Sequence, residues 1–310
     1  MKKKMSRREF FKTGASIGFA SFFAGKVFSS DVTSVYPFLA AGDGIDISVA
    51  VSPDAYKNTR EAIKLLGGIE KFVPKNSKVA ILPNSQSNHP GTYTKQAIVE
   101  AVIDLCKEAG AQEINCLSWL PKKFWDATGL GEAVINRGAN LKLIDMKDES
   151  QFVKKEIPQG IALKETMVVK EYYNNDVFIT IPIIKDHAGN KFTGTMKNFM
   201  GCDSPVSNKF FHSKDIAHLD QCIADLNTIL APTLCVVDAM ETITTNGPFG
   251  PGELIKPNKV VAGMDRVAID SYCTTLLGMQ PTDIIMIKRA YEHKLGEIDL
   301  TKVNIKETAV

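Results

Sequence analysis

Cysteine is sparse in this chain, and it is never grouped. The six, Cys106, Cys116, Cys202, Cys222, Cys235 and Cys273, include no C-x-x-C pair. That spacing excludes a zinc ribbon or an iron–sulfur cluster held by a local cysteine motif. An even number permits disulfides, but spacing does not pair them. Cys106 falls on a helix stripe and Cys235 in an apolar strand, so buried free thiols are expected. Excess charge is lacking too, with 37 Lys and Arg against 35 Asp and Glu, a net of +2. No basic stripe with interleaved aromatics appears, so no nucleic-acid partner is expected. No apolar run reaches the roughly 20 residues of a transmembrane helix. Repeats and low-complexity segments are absent as well. What remains is ordinary globular material: 310 residues, 44% hydrophobic and 23% charged. That is enough for one large or two modest domains with a proper core.

The first residues do not read as fold. Met1 to Lys12 is basic, M-K-K-K-M-S-R-R-E-F-F-K, and Thr13 to Ser30 is mildly apolar until Lys26 interrupts it. A basic stretch followed by an apolar one is a targeting segment. Ser6-Arg7-Arg8-Glu9-Phe10-Phe11-Lys12 resembles the twin-arginine export signal. That resemblance implies the twin-arginine translocase as a partner, a periplasmic or extracellular destination, and a protein folded before export, often around a cofactor. Residues 1–41 are therefore expected to be export signal and linker, and residues 42–310 the folded region.

The remainder alternates strand and helix. Strands are expected at Ile45–Val51, Lys78–Leu82, Glu113–Leu117, Leu141–Asp145, Val177–Ile184, Thr233–Asp238 and Lys259–Ala262. Helices are expected at Tyr56–Leu66, Tyr93–Ala109, Phe124–Asn136, His212–Leu230 and Arg266–Leu277, and Val153–Val169 suits a hairpin. The clearest helix carries Ala97, Ile98, Ala101, Val102, Leu105 and Cys106 on one face, with Gly110 past its end. This alternation predicts an α/β fold, a doubly wound and mainly parallel sheet. Two lobes are expected, about 45–150 and about 175–310, with a crevice between them.

The segment from Ile179 to His212 concentrates the chemistry. A β-branched run ends at Ile184; Lys185, Asp186, His187, Lys191, Lys197, Asn198 and His212 follow, interleaved with Gly189, Gly194 and Gly201. A strand ending in a charged, glycine-rich segment is how α/β proteins build sites at the carboxyl edge of a sheet. Three lysines and the N–H groups beside the glycines suit a phosphate or carboxylate. His187 is expected to shuttle protons near neutral pH, with Lys185 beside it. His212, read as standing at a helix start, is expected to be neutral and able to ligate a metal. Asp238, at a strand end, suits a metal-binding or acid/base carboxylate; a turn role is the alternative. His218 shares a face with Asp215, Cys222 and Asp225 that reads as solvent-facing, and His293 reads as exposed. His89 lies in a loop that could reach the same crevice. Asp265 is expected to cap the helix after it, Asp270 to pair with a basic group, and Asn246 to Gly250 to form a tight turn bordering the site.

Several of these stretches together resemble one family: K-V-A-I-L-P-N (Lys78–Asn84), I-P-I-I-K-D-H (Ile181–His187), T-G-T-M-K-N-F-M-G (Thr193–Gly201), V-V-D (Val236–Asp238), N-G-P-x-G (Asn246–Gly250) and D-R-V-A-I-D (Asp265–Asp270). The chain is similar to the proteins grouped as domain of unknown function 362, over about residues 46–280. Leu82 stands where such proteins commonly have Lys. The ferredoxin-like cysteine cluster that many of them carry is missing, so no iron–sulfur cluster is expected in this chain. More distantly, the chain resembles the lactate racemases, in which a Lys holds a nickel-pincer cofactor covalently and a His ligates the nickel. That likeness implies His187 as an acid/base group, Lys197 as a cofactor anchor and His212 as a metal ligand; Asn198, next to Lys197, is expected to be cofactor-binding, and Asp238, at its strand end, to be a metal ligand. The expectation is an exported enzyme, dependent on a transition metal or metallocofactor, acting on a small anion by racemase- or oxidoreductase-like chemistry. The alternative is a non-catalytic periplasmic ligand-binding protein or redox-partner subunit.

Overall fold

Val79 and Ile81 face one way along a strand and Ala80 and Leu82 the other, and all four are buried. A strand apolar on both sides must be covered on both sides, which makes a sheet with helices on each face. The computed structural model describes residues 44–310. The twin-arginine motif and its linker lie outside the described residues.

In chain order the elements begin β1 (Ile47–Val51), α1 (Ala55–Leu65), β2 (Lys78–Pro83), α2 (Gln96–Glu108), β3 (Glu113–Ser118), α3 (Lys122–Thr128), α4 (Leu130–Asn136) and β4 (Asn140–Leu143). Then come β5 (Phe152–Glu156), β6 (Glu165–Val169), α5 (Lys170–Tyr173), β7 (Val177–Ile181), β8 (Lys185–His187), β9 (Lys191–Thr193), α6 (Thr195–Asn198), α7 (Pro205–Phe211) and α8 (Ile216–Asn227). The chain finishes with β10 (Leu234–Ala239), β11 (Thr242–Ile243), β12 (Leu254–Ile255), β13 (Lys259–Gly263), α9 (Arg266–Leu276), α10 (Ile285–Glu292) and β14 (Ile305–Ala309).

The central sheet has eight strands in the order β14-β1-β13-β10-β7-β2-β3-β4. It is mainly parallel, as the alternation implied; β13 runs antiparallel to both its neighbours, β1 and β10. Helices α1 to α4 pack on one face with Val79, Ile81, Ile179 and Val236. Helices α6 and α8 to α10 cover the other face with Ala80, Phe178, Cys235 and Val237. The fold is thus doubly wound. The two regions expected as separate lobes share this one sheet, because β7 pairs with β2 from Val79↔Val177 to Pro83↔Ile181. Residues 43–310 are accordingly one compact unit, and the expected crevice is the carboxyl edge of a shared sheet. No helix among the described residues is long and apolar enough to cross a membrane.

Local chemistry explains the other boundaries. Gly129 adopts φ 69° and splits the expected helix Phe124–Asn136 into α3 and α4; a Cβ there would stand 2.0 Å from Gln96 Nε2. Asp54, Asp215 and Asp265 each accept the N–H groups that open α1, α8 and α9, as N-caps do. Asp215, not His212, therefore starts the helix after the basic segment. His212 ends the short helix before it, as the C-cap of α7, so the dipole argument for a neutral His212 does not apply. All six cysteines are buried thiols.

Candidate functional site

The chain direction across the sheet reverses between β2 and β7. From β2 it steps outward to β3 and β4, and from β7 it steps the other way to β10. Loops leaving such a pair diverge and open a crevice at the carboxyl ends, where α/β proteins bind ligands. Asn198 sits across this point. Its Nδ2 donates to Leu82 O of β2 and to Thr180 Oγ1 of β7, both at 2.9 Å. Both donors of its amide are committed to the scaffold, so Asn198 joins the two strands rather than presenting N–H groups to a cofactor.

The chain leaves β7 and folds back as the β8–β9 hairpin, in the register Lys185↔Thr193 and His187↔Lys191. No strand was expected at these three-residue segments. The hairpin is held from outside by Gly247, whose N–H donates to Asp186 Oδ2 at 2.9 Å and whose O accepts from Ala188 N at 3.1 Å. A Cβ on Gly247 would lie 1.7 Å from Asp186 O, so only glycine allows this approach. The Asn246–Gly250 turn therefore borders the site by bracing it.

After β9 the chain enters α6, which carries Lys197 and Asn198. Its first N–H groups are met by Asp270, with Thr195 N at 2.6 Å from Oδ1 and Met196 N at 3.0 Å from Oδ2. Asp270 thus caps α6 from within α9 instead of seeking a basic side chain. Its carboxyl is raised to about 6 by burial, against the pull of these N–H groups.

Four of the expected residues come together here. Lys185 is fully buried, and its Nζ donates to Thr92 O at 2.5 Å and Asn84 Oδ1 at 3.5 Å. Both partners are neutral oxygens on the loop after β2. Burial, and then Lys197, lower its amine to about 7. Lys197 is half-buried and donates to Asn190 Oδ1 at 2.7 Å; burial lowers it to about 8 while Asp220 pulls upward. His187 accepts at Nδ1 from Gly189 N at 3.1 Å and Asn190 N at 3.2 Å. The proton of the neutral ring is therefore on Nε2. Burial first, then Lys197, Lys185 and His212, hold the imidazole down at about 3. His187 is thus a fixed neutral donor, not the proton shuttle that its type suggested, and the glycine-rich turn spends its N–H groups on His187. His212 is exposed on the rim and is lowered by its partial burial and by Lys197.

Asp238 does not join them. It alternates with Val237 along β10 and so shares the face of Val236, under α2. Its Oδ2 accepts from Lys95 N at 2.7 Å, at the start of α2, and its Oδ1 from Met240 N at 2.9 Å. His212 follows Phe211, which packs in the core of the opposite face. The two expected metal ligands are turned to opposite sides of the sheet. Among the described residues no three His, Cys, Asp or Glu gather around a common point.

Other expectations change with burial. The His293 side chain is only 8% exposed and its Nε2 lies 2.8 Å from Asp225 Oδ1. Asp225 is itself buried, because Ile161, Ala162 and Leu163 donate their N–H groups to its Oδ2. The polar face of α8 is therefore covered by a loop, and Cys222 on it is buried with Sγ 3.6 Å from His218 Nε2. His89 is exposed on the loop after β2. Two residues that sequence reasoning passed over are central: Asn190 is 2% exposed and Asp220 1%. Asp220 lay in view as a lone acid on the apolar stripe of α8, between Ile216 and Ile223. Next to His187 opens a cavity of about 350 Å3, lined also by Asp186, Lys191, Met279 and Ile284.

A thylakoid-associated protein of Synechocystis is 27% identical over 245 residues, covering 76% of this chain and 74% of its own. Among solved structures, the lactate racemase apoprotein of Thermoanaerobacterium thermosaccharolyticum aligns with a TM-score of 0.48 at 13% identity, over 71% of this chain and 54% of that one. A Thermotoga maritima protein aligns with a TM-score of 0.45 at 11% identity, over 76% of this chain and 59% of that one. This chain therefore spans little more than half the length of either structure. The model of the family described as domain of unknown function (DUF362) matches residues 79–275, well over half of the chain, and the chain belongs to that family.

Proposed function

We propose that this protein is an enzyme that binds a small carboxylate-bearing anion at the β2–β7 switch point and moves a proton on it. The observation that supports this reading is the meeting of Lys185 and Lys197, two enclosed amines whose hydrogen-bond partners are neutral oxygens. Paired amines with no carboxylate in their hydrogen-bond shell favour an incoming anion, and lowered amine pKa values are typical of catalytic sites. Lys197 would hold the anion's carboxylate. Lys185, near 7, is substantially neutral at physiological pH and would take the proton from the neighbouring carbon. The Nε2–H of His187 would donate to the oxygen on which charge develops, as a neutral imidazole does without giving up its proton. The two regions share one sheet instead of forming separate lobes, which favours an enzyme over a receptor that closes on its ligand.

The residues accommodate a metallocofactor better than a bare metal. With no three-residue donor set assembled among the described residues, a metal would have to arrive with most of its ligands already in an organic group. In that loaded form Lys197 would anchor the group instead of holding the anion, with His187 and His212 as the neighbouring imidazoles. Such a group would supply hydride-accepting chemistry. Loading before passage through the twin-arginine translocase, toward the periplasm or beyond, is part of the same proposal. Calorimetric titration with oxalate tests the anion site. Binding that is lost in Lys185→Ala and Lys197→Ala is expected, and wild-type binding that survives both changes would sink the reading. Intact mass and elemental analysis of protein from its own host test the cofactor: an adduct mapped to Lys197 supports it, and an unmodified Lys197 removes it.

A further inference from the structure

Asn190 touches both halves of the site. Its backbone N–H donates to His187 Nδ1 at 3.2 Å, and its side-chain Oδ1 accepts from Lys197 Nζ at 2.7 Å. An amide can present its oxygen to an ammonium only if its NH2 is turned away to an acceptor. Here that acceptor is Asp220 Oδ1, on the core-facing side of α8. The geometry points to Asp220 and Asn190 as positioning residues: the carboxylate fixes the amide, and the amide fixes the Lys197 amine while the same residue fixes the His187 tautomer.

This inference rests on the anion-site reading for its purpose but not for its geometry. The two lysines are set apart by it. Lys185 meets a carbonyl and an amide oxygen and has no carboxylate relayed to it. Lys197 has a carboxylate one amide away, and Asp220 raises its amine against burial. Neighbouring groups whose surroundings drive their titrations apart take different roles. A carboxylate one amide away suits Lys197 to hold an anion, and Lys185, which meets only neutral oxygens, to release its proton. Burial raises Asp220 to about 6, and its partners Asn190 and Lys197 act against that. Asp220 is therefore mostly ionised at neutral pH, as the relay requires.

The relay is tested by competitive acetylation of lysine amines in the folded protein from about pH 6 to 10, read by peptide mass spectrometry. In Asp220→Asn, the Lys197 midpoint should fall by roughly half a pH unit or more. Asp220→Glu should restore part of it. If Asp220→Asn does not fold, Asn190→Ala carries the same expectation, since it cuts the path at the amide. An unchanged Lys197 midpoint in a folded Asp220→Asn or Asn190→Ala protein would falsify the relay. Oxalate affinity near pH 8 should weaken about threefold or more alongside the Asp220→Asn shift. A wild-type protein that binds no oxalate overturns the anion-site reading, while the labelling midpoint still decides the relay.

Discussion

Asp270 and Thr195 are 75 residues apart in the chain, yet Asp270 Oδ1 accepts the Thr195 N–H at 2.6 Å. With Met196 N on the other oxygen, one carboxylate in α9 sets where the single turn of α6 begins. A four-residue helix has little stability of its own, so the placement of Lys197 and Asn198 depends on this cap.

Asp270→Ala is expected to lower stability by about 2–4 kcal/mol, because it removes two charge-assisted hydrogen bonds and leaves two buried N–H groups unmet. Urea unfolding measures it. Oxalate affinity should fall in the same variant below its unfolding range, since α6 loses its fixed start. A fully stable Asp270→Ala protein would remove this account of α6.

Gly247→Ala forces a Cβ to within 1.7 Å of Asp186 O and 3.0 Å of His187 N. These atoms are backbone and give little room to yield, so about 1–3 kcal/mol of destabilisation is expected. The hairpin should also shift, which is read as faster hydrogen exchange at Ala188 and weaker oxalate binding.

Asp225→Ala removes one acceptor from five donors, those of Ile161, Ala162, Leu163, Gln221 and His293. Roughly 3–5 kcal/mol of stability should go with it. His293→Ala, which takes one partner and keeps the carboxylate, should cost about 1–2 kcal/mol. Thermal unfolding that ranks these two in the opposite order would contradict the described packing.

Stability should rise with pH above neutrality, and Lys185 should be one cause. Its amine titrates near 7 in the folded chain but at an ordinary lysine value when unfolded. Between about 7 and 10 the unfolded chain binds the extra proton, so raising the pH favours folding; below about 7 both states are protonated and the slope vanishes. Lys185→Met should flatten this rise and gain stability at neutral pH, on the order of 1–3 kcal/mol after the loss of its bond to Thr92 O. Urea midpoints across that range for both proteins provide the comparison.

Strand and helix segments were legible where periodicity was strong. β2 was read as Lys78–Leu82 and is Lys78–Pro83; the stripe through Ala97 to Cys106 lies in α2. Strand order was not legible, because β7 reaches β2 across a long span of chain and no local pattern records the pairing. The reversed β13 has the same apolar run as a parallel strand. Segments of three or four residues, β8, β9 and α6, are held by Gly247 and Asp270 from elsewhere, so their own composition reads as loop. The lysines and His187 could be named from their place after a strand, but their protonation could not, since burial decides it. Asp225 and His293 looked solvent-facing because the loop that covers them is remote in sequence.

The buried cysteines have a consequence for how this chain meets oxidants. Burial raises the thiols of Cys106, Cys116, Cys222, Cys235 and Cys273 above the ordinary value. A thiol that is both enclosed and protonated is a poor target for oxidants. Oxidation of these thiols therefore requires the surrounding core to open first.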